Sequence, residues 1–208
     1  MTERGTAITS VDELEQILGV ATGPAASKVR HELQDAHRTW LAAASLGFIA
    51  TTDAAGNVDV SPKGDPAGLV RVLDERSIAI PERPGNRRTD GFHNILQNPH
   101  VGLVFIIPGR GDTLRINGRA TIVRDAPFLS EMVVRGHEPL VALVVDIDEV
   151  FFHCSKAFLR SKTWEPDQWH PDAAPRRAVI AQQLERSDES LEELDAYYGP
   201  AYDAKIYG

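Results

Sequence analysis

Residues 101–123 read VGLVFIIPGRGDTLRINGRATIV, and this stretch decides the fold. Val101 to Ile107 is a continuous apolar run rich in β-branched residues, the pattern of a buried strand. Pro108-Gly109-Arg110-Gly111-Asp112 turns the chain. Thr113 to Val123 then alternates, with Leu114 and Ile116 on one face and Arg115, Asn117 and Arg119 on the other. Gly118 interrupts the alternation, as a bend or bulge in a strand does.

The same texture extends to both sides. Leu46 to Thr52 and Asn57 to Ser61 read as strands around the turn Asp53-Ala54-Ala55-Gly56. Leu69 to Leu73 and Ser77 to Pro81 read as a second pair around Asp74-Glu75-Arg76. A helix is predicted from about Arg88 to Gln97, stopped by Asn98-Pro99. Another, at about Pro127 to Arg135, precedes a long strand from Leu140 to Phe152. The flanks are helical. Ser10 and Glu13 form a capping box for Val11, Leu14, Ile17 and Leu18, with Gly19 ending the pattern. A second helix is predicted over Ala25–Ala44, burying Val29, Leu33, Ala36, Trp40 and Leu41. Beyond the last strand come a helical stretch from Cys154 to Ser161, a loop from Trp164 to Trp169 and a helix from Ala178 to Tyr198. Between Gln182 and Asp195 six acids stand against one arginine, which reads as a solvated helix face. Antiparallel strands with helices before, within and after predict a mainly β fold with flanking helices, an α+β barrel. Strand–helix alternation, the mark of a doubly wound sheet, is missing. The expected organisation is a helical segment at 1–45 packed on the barrel, the barrel at 46–170 and a helical tail at 171–208.

Composition excludes several function classes. The chain has 208 residues with 42% hydrophobic and 25% charged, as an ordinary globular domain has. Its 30 acidic and 22 basic residues give a net charge of −8, the opposite of a general nucleic-acid binder. The single cysteine, Cys154, excludes an internal disulfide or a multi-thiolate zinc site and points to a reducing, cytoplasmic setting. No apolar stretch follows a basic start, so no leader is expected, and no run is long enough to cross a bilayer. The seven histidines are scattered, and a metal site is not expected.

The segment Ile80-Pro-Glu-Arg-Pro-Gly-Asn-Arg-Arg-Thr-Asp90 carries the chemistry. It leaves a strand, turns at Pro84-Gly85 and enters a helix with Asn86 where a cap belongs. Arg87 and Arg88 would then sit against the positive end of the helix, which asks for an anion, most simply a phosphate; ordinary surface arginines are the alternative. Asp59-Val-Ser-Pro-Lys-Gly-Asp-Pro66 delivers Ser61 and Lys63 into a Pro/Gly-rich loop, useful to the same phosphate unless Asp65 takes the lysine. Arg115, Asn117 and Arg119 form either a ligand face or a solvent-facing one. Asp146 and Asp148 read as a solvated rim rather than an acid/base pair. Cys154, close to Lys156, reads as a buried, inert thiol rather than a reactive one. Trp164 either covers a flat ring system or packs under the C-terminal helices with Trp169.

In this order, Phe48-Ile-Ala-Thr, Asp59-Val-Ser-Pro-Lys-Gly, Ala79-Ile-Pro-Glu-Arg-Pro-Gly-Asn-Arg-Arg, Asn94-Ile-Leu-Gln-Asn-Pro, Leu114-Arg-Ile-Asn-Gly and Phe152-His-Cys-Ser-Lys-Ala resemble the pyridoxamine 5′-phosphate oxidase superfamily of FMN-binding split β-barrels. The match is to the subgroup of FMN-dependent enzymes of unassigned substrate and spans residues 46 to about 170. It departs from the pyridoxamine phosphate oxidases themselves at the phosphate-binding helix start and in the tail. The resemblance implies an FMN-dependent oxidoreductase acting on a small molecule, a homodimer holding FMN between its subunits, and the flavin as the reactive group. It also implies that Ser61, Lys63, Arg83, Asn86, Arg87 and Arg88 surround the phosphate. Arg115 would lie near the ring or the partner subunit, and Ser161 and Trp164 would close the pocket from the other chain. The deazaflavin F420 on the same barrel, or a flavin- or haem-binding module without turnover, are the competing expectations.

Overall fold

The computed structural model describes residues 5–203 and 206–207; Met1–Arg4, where the leader reading begins, lie outside the described residues. Seven strands form one sheet: β1 Leu46–Thr52, β2 Val58–Gly64, β3 Arg71–Val72, β4 Ser77–Pro81, β5 His100–Ile106, β6 Thr113–Arg124 and β7 Val141–His153. Their order is β2-β1-β5-β6-β7-β4-β3, and every pairing is antiparallel. β2 and β4 stand far apart in that order. Yet Lys63 on β2 is ion-paired with Glu82, the residue just past β4. The sheet therefore curls until its two ends approach without pairing, which makes it a split barrel of the expected α+β class.

The curl is built around the glycine seen in the sequence. β6 and β7 pair along almost their whole length, and the register slips between Asn117 and Gly118. Asp148 is the extra residue on the β7 side, and its carbonyl is held by His31 Nδ1 at 2.6 Å. A Cβ at Gly118 would lie 2.1 Å from the Asp146 carbonyl oxygen, so only glycine lets the two strands close here. Inside the curl lie Ile49, Leu103, Phe105, Leu114, Ile116, Leu143 and Val145, the alternate residues of β1, β5, β6 and β7. Helices α1 Val11–Leu18, α2 Pro24–Ser27 and α3 Asp35–Ala43 precede the sheet, and α4 Asp90–Gln97 follows β4. Trp40 and Leu41 of α3 and Ile95 of α4 complete the core. Fully burying a residue such as Leu41 contributes about 1.5–3 kcal/mol.

The helix predicted over Ala25–Ala44 is broken. Arg30 exchanges both backbone hydrogen bonds with Val150 of β7 (3.0 and 2.8 Å), and the Leu33 N–H donates to the Glu75 carbonyl. The backbone of 30–33 is thus committed to the barrel instead of to a helix. The face of α3 shifts accordingly: His37 is buried and Ala36 is exposed. The Gln34 N–H donates to His37 Nδ1 at 3.1 Å, which fixes the start of α3. β2 runs on through Pro62-Lys63-Gly64, which were expected as loop. It is an edge strand, paired only with β1, so a proline without an N–H is accommodated. The stretch after β6 is a 3-10 turn at Pro127–Met132 in place of the longer helix. Beyond β7 come α5 Lys156–Ser161, two 3-10 turns, then α6 Arg177–Leu184, α7 Leu191–Tyr197 and α8 Pro200–Asp203. The single helix expected over Ala178–Tyr198 is two, because Ser190 caps α7 in a box with Glu193. They share a small core of Ala178, Ala181 and Leu194. Their acids are partly spent on Arg176–Asp195, Arg177–Glu185 and Arg186–Glu189 pairs, so the face is less bare than its sequence suggests.

Two tests follow from this architecture. Gly118→Ala forces β6 off the Asp146 carbonyl and should lower stability by about 1–3 kcal/mol or more in urea denaturation. His37 is neutral in the fold, its pKa held below the ordinary 6.5 by burial and then by the charge of Arg30. The unfolded chain takes up the proton first on acidification, so this contribution is intact above pH 6.5 and is lost as pH falls below it. Urea midpoints taken from about pH 7.5 down to about pH 5 should therefore fall more steeply in the wild type than in His37→Gln.

Candidate functional site

Alternation along β2 builds one wall of a cavity of about 570 Å³. Asp59, Ser61 and Lys63 point into it, while Val58 and Val60 point outward. The segment leaving β4 supplies the second wall with Glu82, Arg83, Pro84, Gly85 and Asn86. The start of α4 supplies the third, with Arg88, Thr89, Asp90 and Phe92. Ile49, Leu69, Ile95 and Leu143 form an apolar floor. A cavity with one apolar surface and a few convergent polar groups is what a small-molecule site requires.

Five of the nine residues singled out in the sequence meet here: Ser61, Lys63, Arg83, Asn86 and Arg88. Each is already engaged. Ser61 Oγ donates to Asp59 Oδ2 at 2.7 Å. Lys63 is paired with Glu82, and its ammonium lies 5.3 Å from the centre of the Phe92 ring. Arg83 Nε donates to Asp65 Oδ2 at 2.8 Å, and its NH2 donates to the Met132 carbonyl at 2.7 Å. The Asp65 and Arg83 side chains are only 3% and 12% exposed, so this pair braces the cavity from behind. Asn86 Oδ1 accepts from the Arg88 N–H at 3.0 Å, and Arg88 Nε donates to Asp90 at 2.7 Å. The Arg88–Asp90 pair is open to solvent, with the arginine 74% exposed, and pairs of that kind hold weakly.

The helix start differs from the expected one. Thr89, not Asn86, is the residue before α4, so Arg87 and Arg88 precede the helix. Thr89 and Arg87 both take left-handed backbone angles (φ 54° and 60°), an uncommon state for side chains other than glycine. Strain of this kind is held in place by its surroundings and gathers at binding sites. The twist turns Arg87 away from the cavity lining and leaves Arg88 in it. Gly91 lets α4 approach β2 closely, since a Cβ there would lie 3.3 Å from the Asp59 carboxylate.

Four predicted residues lie elsewhere. Arg115 is on the outer face of β6, its guanidinium 5.1 Å from the Phe151 ring centre, with Lys28 at 5.0 Å from the same ring. Nearby His153 has its pKa pushed down by burial and then by the charges of Lys28 and Arg115. Ser161 Oγ donates to the Phe158 carbonyl. The Trp164 indole N–H donates to the Arg110 carbonyl at 2.7 Å, and its ring stacks on Phe158 at 5.9 Å. Trp169 is held differently, its indole N–H donating to the Thr163 carbonyl at 2.9 Å. Asp146 and Asp148 are exposed, as a solvated rim requires. Cys154 is exposed rather than buried, because β7 ends one residue before it and the chain turns outward into α5.

Sequence reasoning missed the carboxylates. Among the described lining residues Lys63, Arg83 and Arg88 face Asp59, Glu82 and Asp90, so the cavity walls are balanced in charge. The alternation of Asp59 with Ser61 and Lys63 was a usable signal for the first of them. It also missed Ile206, which lines the cavity, and Tyr207, whose hydroxyl donates to Asp65 Oδ1 at 2.7 Å. That hydrogen bond, then burial, raises the Tyr207 pKa above its ordinary 10.0, so the hydroxyl is a donor at neutral pH. Among the described residues no helix is long and apolar enough to cross a membrane.

No curated protein matches this sequence. Solved structures do resemble it. HupZ of Group A Streptococcus is 20% identical over 58% of this chain and 94% of its own, with a TM-score of 0.47. A putative pyridoxamine 5′-phosphate oxidase of Lactobacillus delbrueckii subsp. is 25% identical over 60% of this chain and 98% of its own, with a TM-score of 0.46. An FMN-binding protein of Syntrophomonas wolfei subsp. wolfei is 11% identical over 56% of this chain and 83% of its own, with a TM-score of 0.44. The family model for pyridoxamine 5′-phosphate oxidase matches residues 33–154, from just before α3 to one residue past β7. That span holds all seven strands of the split barrel and every described lining residue of the cavity but Ile206, and the chain belongs to the pyridoxamine 5′-phosphate oxidase family.

Proposed function

We propose that this protein is an FMN-dependent oxidoreductase acting on a small molecule, and that it works as a twofold homodimer. The observation that carries the reading is the convergence of two distant segments, Ser61–Lys63 and Arg83–Arg88, on one cavity with an apolar floor. The donor set fits FMN. A phosphate asks for cations and hydrogen-bond donors that can be released from other partners, and Arg88, Lys63, Asn86 and Ser61 meet that description. Asp59 and Glu82 offer acceptors to a polyol. The apolar floor and Phe92 suit a flat ring system. Arg83, with its donors spent on Asp65 and on main-chain carbonyls, contributes charge and shape. A bound flavin would supply hydride or electron transfer. The chain's own part is to bind it, orient it and keep water from one face.

The homodimer reading rests on the back of the same strand. Val58 and Val60 of β2 are 72% and 59% exposed and Phe48 of β1 is 38% exposed, a contiguous apolar surface opposite the cavity side of β2. A second copy laid on it covers this surface and brings its own residues to the cavity rim. In that arrangement Arg115, Ser161 and Trp164 serve the partner's cavity, not their own.

Purified protein should carry or take up FMN with quenched fluorescence, identified by mass after extraction, and should bind riboflavin much more weakly. Lys63→Ala and Arg88→Ala should each weaken FMN by about tenfold or more, with riboflavin little changed. Arg87→Ala should have the smaller effect, since Arg87 stands outside the lining. Equal losses for both flavins would remove the phosphate from this end of the cavity. In sedimentation the protein should be a dimer, and Val60→Glu should yield monomers with FMN affinity reduced by about tenfold or more. A monomer with undiminished affinity would rule out the shared site.

A further inference from the structure

Tyr207 lies 142 positions beyond Asp65 in the chain, yet it and the preceding Ile206 are fastened to the cavity. Tyr207 Oη donates to one oxygen of Asp65 while Arg83 holds the other, so tyrosine and arginine share a carboxylate that is 3% exposed. The Tyr207 ring is gripped as well. The Arg83 and Arg135 guanidiniums stand 5.8 and 5.4 Å from its centre, and His137 stacks on it at 6.4 Å. This anchor puts the preceding residue, Ile206, into the cavity wall at the end that carries Arg83. Four contacts on one side chain make a latch, and the apolar residue beside it is what the latch holds in place.

We infer that Ile206, held by Tyr207, is a selectivity element that closes the Arg83 end of the cavity and admits flavins ending in a phosphate monoester while excluding those that continue as a dinucleotide. The inference rests on the flavin reading above. With a phosphate at the Lys63–Arg88 end, FMN terminates inside the wall. FAD has a second phosphate and an adenosine still to place, and Ile206 stands at the end through which they would leave. An apolar side chain there offers no hydrogen bond to a diphosphate and must be displaced for it to pass, so discrimination comes from exclusion, not from an added attraction.

The test compares FMN and FAD affinity by titration calorimetry in the wild type, Ile206→Gly, Tyr207→Ala and Tyr207→Phe, with melting curves as the control on folding. The wild type should prefer FMN by about tenfold or more. Ile206→Gly and Tyr207→Ala should narrow that preference by about tenfold, mainly through tighter FAD binding. Tyr207→Phe keeps the ring and loses only the hydroxyl, and should fall between. Equal affinities in the wild type, or a preference unchanged in both Ile206→Gly and Tyr207→Ala, would overturn the latch while leaving FMN binding in place. A wild type that binds neither flavin would overturn the cofactor reading and the latch with it.

Discussion

Asp65 holds the basic end of the barrel together. Its carboxylate, nearly sealed from water, takes the Arg83 guanidinium and the Tyr207 hydroxyl, and Arg83 in turn takes the carbonyls of Met132 and His137. One ion pair thus ties the end of β2, the exit of β4, the turn after β6 and the distant segment at 206–207. Such a pair does not add stability in proportion to its charge, because both ions have been withdrawn from water. Its value is geometric. Either partner left alone would be an uncompensated buried charge, so the segments that supply them are fixed relative to each other.

That constraint explains the division of labour among the cavity cations. The largely covered Arg83 has its donors engaged by Asp65, Met132 and His137, so it sets the wall. Arg88 is exposed, and Lys63 is partly so; both are paired with carboxylates on the same rim. Their pairing balances the cavity in charge. On the proposed reading, a ligand phosphate would exchange with Asp90 or Glu82, the carboxylates that hold Arg88 and Lys63. The two left-handed residues, Arg87 and Thr89, belong to the same economy: the backbone is twisted so that one of two adjacent arginines faces the cavity.

The outer surface follows from strand alternation. Along β2 the inward-facing Asp59 and Ser61 alternate with Val58 and Val60, which face outward. An edge strand with Val58 and Val60 on its outer face resists ladder extension through Pro62 yet leaves apolar area uncovered. Helix α1 adds to this, with Val11, Ile17 and Leu18 all largely exposed and no buried residue of its own. The chemistry of the cavity and the apolar exterior are two sides of one periodicity.

The sequence by itself determined the strands, the bulge and the position of the basic cluster. Val101–Ile107 became β5 within a residue, Gly118 marked the register shift, and Arg83, Asn86 and Arg88 line the cavity. These are local signals: side-chain periodicity and backbone freedom are written in neighbouring residues and need no partner to be read. The helix over Ala25–Ala44 could not be read that way, because the backbone of Arg30 and Leu33 is spent on Val150 and Glu75. Nor could the cap at Thr89, the outward turn of Arg87, or the exposure of Cys154. Only the tertiary structure decided that Lys63 meets Glu82, that Asp65 takes Arg83 in preference to the nearby Lys63, and that Tyr207 reaches Asp65 at all. The reason is that charge pairing and cavity walls are properties of distance in space. Residues 18 to 142 positions apart share no pattern along the chain until the curl of the sheet brings them within a hydrogen bond of each other.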